Sequence, residues 1–293
     1  MATPYAELVA PADVATLLGS PSLSRALVVV DARYWLGQHG RGLAAFEAGH
    51  LPGARFVDVD AELAESPATS AEARPGTHPG GRHPRPTAQR LAGAVRRLGI
   101  DADSTVLVHE QQGSLSAAWF VWLLRDAGFT GRLLVLDGGF AAWQRSGGAV
   151  STDVLPDAEG TFVPRPGHLP ILDADEVPAW IAAGHQVVDV RAAERFRGES
   201  EPVDPVAGHI PGAKNLPLSE LQNPDGTFLS SDELARRMAF LSAGDALSCG
   251  SGLTASLVFL AASVAGVDGL RLYPGSWSDW ISDPTRPVAG LTT

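Results

Sequence analysis

Cysteine is almost missing from this chain: Cys249 is the only one in 293 residues. A lone thiol excludes an intramolecular disulfide framework and a structural zinc site built from cysteines. Long apolar runs are missing as well. The longest, LVFLAASVAGV at 257–267, falls far short of the roughly 20 residues that cross a bilayer, so no membrane partner is expected. The opening MATPYAELVAPADV has no basic start followed by an apolar stretch. No secretory signal is expected from it, and the setting is read as cytoplasmic and reducing. Positive charge is in deficit, with a formal net charge of −11. That argues against nucleic acid and anionic lipid as partners, since both need clustered cations. A small anionic substrate stays open, because a few arginines can reverse the potential inside one pocket.

What is present is a repeat. The first half reads LVVVDAR (27–33), GHLPGARFVDVD (49–60), STVLVHEQQGSLSAAWFVWLL (104–124) and RLLVLDGGFAAW (132–143). The second reads QVVDVR (186–191), GHIPGAKNLPL (208–218), DALSCGSGLTASLVFLAA (245–262) and LRLYPGSWSDW (270–280). Asp31 and Gly49 are 18 positions apart, Asp189 and Gly208 are 19. Matching order and spacing predict a duplicated domain of roughly 130 to 150 residues. The expected boundaries are 1–150 and 151–293, joined by a Pro- and Gly-rich stretch at 147–170. Short, near-continuous apolar runs separated by helical segments predict α/β domains, each a mostly parallel sheet flanked by helices. Helices are expected over 117–128 and 254–266. The irregular segment 64–86 is too long for an ordinary connection, and such loops are often functional.

Within this frame Cys249 stands at the end of an apolar strand, inside CGSGL and just before a helix. Amides of such a turn and the head of the helix can converge on sulfur and stabilise a thiolate or a persulfide. Gly250 and Gly252 leave the backbone free to curl around the atom. A phosphatase cysteine loop would need room for a phosphoryl group and an arginine at its end. Ala255 stands at that position, so a sulfur carrier fits better.

The motifs DAR and GHLPGA, then DVR, RFRG and GHIPGA, then CGSGLTA and GSWSDW together resemble the tandem rhodanese family, and within it the 3-mercaptopyruvate sulfurtransferases. The resemblance covers nearly the whole chain and implies two rhodanese-like domains, of which the second is catalytic. In the first, the thiol position is expected near Gln111 or Gln112. The resemblance implies Cys249 as nucleophile and Ser251, His83 and Asp60 as an acid–base relay, with His78 a competitor for the histidine's place. It implies Arg195 as the clamp on the substrate carboxylate, Arg197 as a further pocket candidate, and Gly250, Gly252, Leu253 and Thr254 as the cradle. Arg33 and Arg191 are expected to form structural ion pairs with Asp31 and Asp189. The family's second arginine, nine positions after Arg195, is replaced by Asp204. This leaves thiosulfate open as the donor, and a non-catalytic or partner-dependent rhodanese binding module stays open as a different class. A small anionic sulfur donor and a thiol, thioredoxin or cyanide acceptor are the implied partners. No metal or organic cofactor is expected, since displacement at sulfur needs none.

Overall fold

The computed structural model describes residues 5–20, 26–67, 76–113 and 115–290. The chain divides into two compact units. One is Met1–Ala64 with Pro86–His168 and Gln222–Phe228; the other is Glu65–Arg85 with Leu169–Leu221 and Leu229–Thr293. The described residues 65–67 and 76–85 of the 64–86 segment thus group with the second unit, and its residues 68–75 lie outside the described ones.

Among the described residues the first unit carries five parallel strands: β1 (Glu7–Val9), β2 (Leu27–Asp31), β3 (Ala54–Phe56), β4 (Thr105–His109) and β5 (Arg132–Leu136), in the order β1-β5-β4-β2-β3. The runs LVVVD, TVLVH and RLLVL are buried after their first residue, as central strands covered on both faces must be. Helix Leu115–Asp126 follows β4, and nearly every residue in it is buried. Its Trp119 and Trp122 rings stack with centroids 5.5 Å apart.

The second unit repeats the plan. Among the described residues its strands are β6 (Val187–Asp189), β7 (Lys214–Asn215), β8 (Ala246–Ser248) and β9 (Arg271–Leu272), all parallel in the order β7-β6-β8-β9. Ile171 adds a parallel bridge to Leu272, beside β9 as β1 lies beside β5. Helix Leu253–Val264 follows β8 as Leu115–Asp126 follows β4. Among the described residues no helix is long and apolar enough to cross a membrane.

The duplication reaches the polar core. Arg33 pairs with Asp31 at 2.7 Å and donates to Gly49 O at 2.7 Å; Arg191 pairs with Asp189 at 2.6 Å and donates to Gly208 O at 2.7 Å. Each arginine ties the end of its strand, β2 or β6, to its GHxPGA turn. In those turns His50 stacks on Phe46 at 3.9 Å and His209 on Phe196 at 3.8 Å. The ion pairs expected from DAR and DVR are therefore structural, and their burial explains why the two copies keep them.

Candidate active site

Strand β8 delivers Cys249 to the sheet's carboxyl edge, where ligands of open parallel sheets bind. Its side chain is only 1% exposed. The sulfur accepts the Gly252 N–H at 3.1 Å, with Ser276 Oγ at 3.9 Å. Of the amides from Gly250 to Thr254 expected to converge on Sγ, Gly252 is the one within hydrogen-bond distance among the described residues. The reason is the turn: Gly252 has φ +93° and an added Cβ would lie 2.6 Å from Pro274 O, so the chain reverses there and aims that single N–H back. The helix begins immediately after, with its first hydrogen bond from Ser256 N–H to Gly252 O at 2.9 Å. The amides of Leu253 and Thr254 therefore precede the hydrogen-bonded ladder.

A second backbone segment supports the loop. Ser276 Oγ accepts the Cys249 N–H at 3.0 Å, while the N–H groups of Trp277 and Ser278 reach the Cys249 and Gly250 carbonyls at 2.9 and 3.0 Å. Ser276 holds φ +53°, and among the described residues it is the one non-glycine with positive φ. Such a conformation costs energy and persists where its surroundings fix it. GSWSDW is thus the platform under CGSGL.

The same platform seats the histidine. Gly80 N–H donates to Asp279 Oδ1 at 2.7 Å and Arg82 N–H to Ser278 Oγ at 3.1 Å. Gly81, at φ +88°, passes so close that a Cβ would stand 2.6 Å from Gly275 O. His83 is then placed with Nδ1 2.8 Å from Ser251 Oγ, both side chains buried. His83 rather than His78 meets Ser251; the His78 carbonyl instead accepts the Gly81 N–H at 2.9 Å and closes the turn.

Above Gly250 lie two guanidinium groups. A Cβ on Gly250 would be 3.0 Å from Arg82 Nη2 and 3.9 Å from both Arg195 Nη1 and Nη2. Arg195 sits on the short helix Ala193–Phe196 and gives Nε and Nη2 to Glu201, the latter at 2.7 Å. Its Nη2 also reaches Asp204 Oδ2 at 3.1 Å, and Arg82 Nη1 bonds the other Asp204 oxygen. Burial pushes the Asp204 carboxyl above the usual carboxylate range; Arg82 opposes this, Glu201 adds to it, and Arg195 and Arg191 oppose it. For Glu201 burial also acts upward, yet the hydrogen bonds from Arg195, Asp204 N–H and Val203 N–H bring it below its ordinary value. Arg197, the further pocket candidate, stands apart from this group. It instead points to solvent and pairs with Glu199 at 2.7 Å, because two steps along a single helical turn put it on another side from Arg195.

Sequence comparison gives the same assignment. A model of the rhodanese-like domain matches residues 10–146 and 173–283. The chain belongs to the rhodanese family. A Pseudomonas aeruginosa protein that carries a provisional 3-mercaptopyruvate sulfurtransferase name is 37% identical, over 97% of this chain and 98% of its own length. SseB of Mycobacterium tuberculosis, provisionally named a thiosulfate sulfurtransferase, is also 37% identical, over 94% of each chain. Among solved structures, the crystal structure of SseA from Escherichia coli, described as a 3-mercaptopyruvate sulfurtransferase, is 31% identical. It has a TM-score of 0.75 and covers 93% of this chain and 99% of its own.

The first rhodanese unit corrects one expectation. Asp189 pairs in register with Ser248 and Asp31 with His109, so the residue matching Cys249 is Glu110, not Gln111 or Gln112. Glu110 Oε2 accepts Ser116 Oγ–H at 2.8 Å, a carboxylate bonded to the head of the following helix where the other copy has sulfur. In the same unit Asp60 lies in helix Val59–Glu62, with Oδ2 3.0 Å from His39 Nδ1. Sequence reasoning missed Arg82 and Ser276. The signal for Arg82 was its place beside His83 together with the unfilled position of the family's second arginine.

Proposed function

We propose that this rhodanese transfers sulfur from 3-mercaptopyruvate, through a persulfide on Cys249, to a thiophilic acceptor. The observation that carries the reading is the 2.8 Å contact between His83 Nδ1 and Ser251 Oγ, two residues from a thiol that receives a backbone N–H. Thiosulfate leaves as sulfite and needs no proton, whereas mercaptopyruvate leaves as an enolate that does.

In the first step the Cys249 thiolate attacks the donor sulfur, the S–S bond forms, and the C–S bond breaks with its electron pair passing to carbon. Negative charge spreads onto the carbonyl oxygen. Ser251, backed by His83, donates toward that oxygen, and the enolate becomes pyruvate on taking up a proton. Asp60 enters as a third member of the relay on the family likeness alone. Arg195 and Arg82 orient the donor's carboxylate so that its sulfur lies in line with Sγ. The Gly252 amide and the helix-head amides of Leu253 and Thr254 supply donors to the outer sulfur. In the second step a thiol, a reduced thioredoxin or cyanide attacks that sulfur and restores the Cys249 thiolate. A reducing, cytoplasmic setting would supply such thiols and keep Cys249 free.

The test is kcat/KM for mercaptopyruvate and thiosulfate with cyanide as acceptor, in the wild type and Ser251→Ala. The wild type should prefer mercaptopyruvate. Removing the hydroxyl should lower mercaptopyruvate turnover by about 10²-fold or more, the usual worth of a positioned proton donor, and leave thiosulfate turnover within a few-fold. Equal losses on both donors would contradict the proton role; a wild type that prefers thiosulfate would contradict the donor.

A further inference from the structure

His83 stands on backbone that forms neither helix nor strand from residue 76 to 86. A ring that must keep Nδ1 2.8 Å from Ser251 Oγ is therefore aimed by whatever fastens that loop, since irregular backbone positions a group less tightly than a helix or strand does. Two N–H groups of the loop bond to neighbouring side chains of the short helix Ser276–Trp280: Gly80 to Asp279 Oδ1 at 2.7 Å and Arg82 to Ser278 Oγ at 3.1 Å. The other oxygen of Asp279, Oδ2, accepts the Tyr273 hydroxyl at 2.7 Å. Tyr273 is 1% exposed in the core of the second unit, and its own N–H bonds Leu247 O of β8 at 2.9 Å. Burial, and Asp279 after it, hold the Tyr273 hydroxyl well above its ordinary range, so it stays a donor. Space for the carboxylate is kept open by Gly275, where a Cβ would stand 2.6 Å from Asp279 Oδ2.

We propose that Asp279 is the positioning residue of the His83–Ser251 pair, fastening the loop that carries the histidine to the buried Tyr273. The role rests on the sulfurtransferase reading above. A hydrogen bond to a carboxylate is shorter and stronger than one between neutral groups, and the Tyr273 hydroxyl fixes the second oxygen, so the acceptor is itself held in place. Strand β8 delivers Cys249 directly, and through Tyr273, Asp279 and Gly80 it also sets the loop that leads to His83. Nucleophile and proton donor thus take their positions from one strand.

Loss of the Asp279 carboxylate frees Gly80, and His83, three residues on, drifts from Ser251. Cys249 keeps its bonds to Ser276, Trp277 and the Gly252 amide. Arg82 keeps its own bonds to Ser278 and Asp204. The deficit therefore falls on proton delivery to the departing enolate and spares attack at sulfur and grip on the donor. A residue that merely supported the fold would weaken all three.

The test measures kcat and KM for mercaptopyruvate and thiosulfate in the wild type, Asp279→Ala, Ser251→Ala and the double variant. Asp279→Ala should lower kcat for mercaptopyruvate about tenfold, with KM and thiosulfate turnover within about twofold, as expected when only a transition-state contact is misplaced. On the Ser251→Ala background the same change should cost less than about twofold, because the hydroxyl it serves is gone. Asp279→Asn keeps an oxygen for Gly80 and can donate to the Tyr273 oxygen, so it should recover most of the loss. Equal losses on both donors, or a tenfold loss repeated in the double variant, overturn the proposal. Should Asp279→Ala fold poorly, Tyr273→Phe carries the test: loss of one anchoring hydrogen bond should cost about threefold in mercaptopyruvate kcat, again only while Ser251 is present, and an unchanged kcat overturns the proposal. Ser251→Ala alone judges the sulfurtransferase reading. Equal losses there on both donors sink that reading and this role with it, whereas a donor-selective Ser251→Ala beside an unselective Asp279→Ala sinks the role alone.

Discussion

Arg191→Ala is expected to destabilise the protein by about 3–5 kcal/mol, the cost of breaking a buried ion pair from one side. The guanidinium is 1% exposed and bonds Asp189, Glu201 and the Gly208 carbonyl. It also lies 4.7 Å from the centre of the Trp277 ring. Removing it leaves the Asp189 carboxylate, whose side chain is 4% exposed, without a counter-charge and with the residue 191 backbone N–H as its remaining donor there, and leaves the Gly208 carbonyl without its guanidinium donor. The alanine also vacates space against Trp277 in the second unit's core. Urea unfolding should show the midpoint fall at an unchanged slope. Because Glu201 links Arg191 to Arg195, residual folded protein should also bind anions less well. A loss under about 1 kcal/mol would mean that the pair is a solvated contact, contrary to its burial.

Gly252→Ala is the second large effect. At φ +93°, and with the new Cβ 2.6 Å from Pro274 O, the loop cannot keep its path, and Pro274 belongs to the backbone that leads into Ser276. A shift there removes the N–H that reaches Cys249 Sγ at 3.1 Å and displaces Ser251 from His83. Misplacement of reacting groups by about 1 Å costs about 10²-fold in rate. We expect kcat/KM to fall by at least that, with a stability loss of about 1–3 kcal/mol from the strained backbone. Activity within threefold of wild type would show that the Gly252 amide has no part in holding sulfur.

Much of the fold was legible because it rests on local pattern. The apolar runs at β2, β4 and β5 and their later copies announced parallel strands, and DAR and DVR, each followed by GHxPGA, announced a repeat whose arginines make matching bonds to Gly49 and Gly208. Cys249 was legible for the same reason, since strand, glycines and helix are adjacent in sequence. What escaped lies far apart along the chain. Arg82 meets Asp204 across 122 positions and Cys249 N–H meets Ser276 across 27, and no periodicity links them. His83, 168 positions from Ser251, came from the family resemblance rather than from spacing. The Glu110 error was one of register. The first loop has one more residue before its helix, with Leu115 five positions after Glu110 and Leu253 four after Cys249. Only the strand pairing fixes which residues correspond. Arg197, the further pocket candidate in ERFRG, lies two residues beyond Arg195, where the helical turn carries it to Glu199 instead.

The proposed function stands on one step, the acceptance of a single sulfur atom from mercaptopyruvate by Cys249. Intact-protein mass spectrometry after brief incubation with that donor tests it most directly. The expected result is a gain of one sulfur, located on the Cys249 peptide, released as thiocyanate by cyanide and missing in Cys249→Ser. Wild-type protein that gains no sulfur, or a Cys249→Ser variant that gains as much, would contradict it.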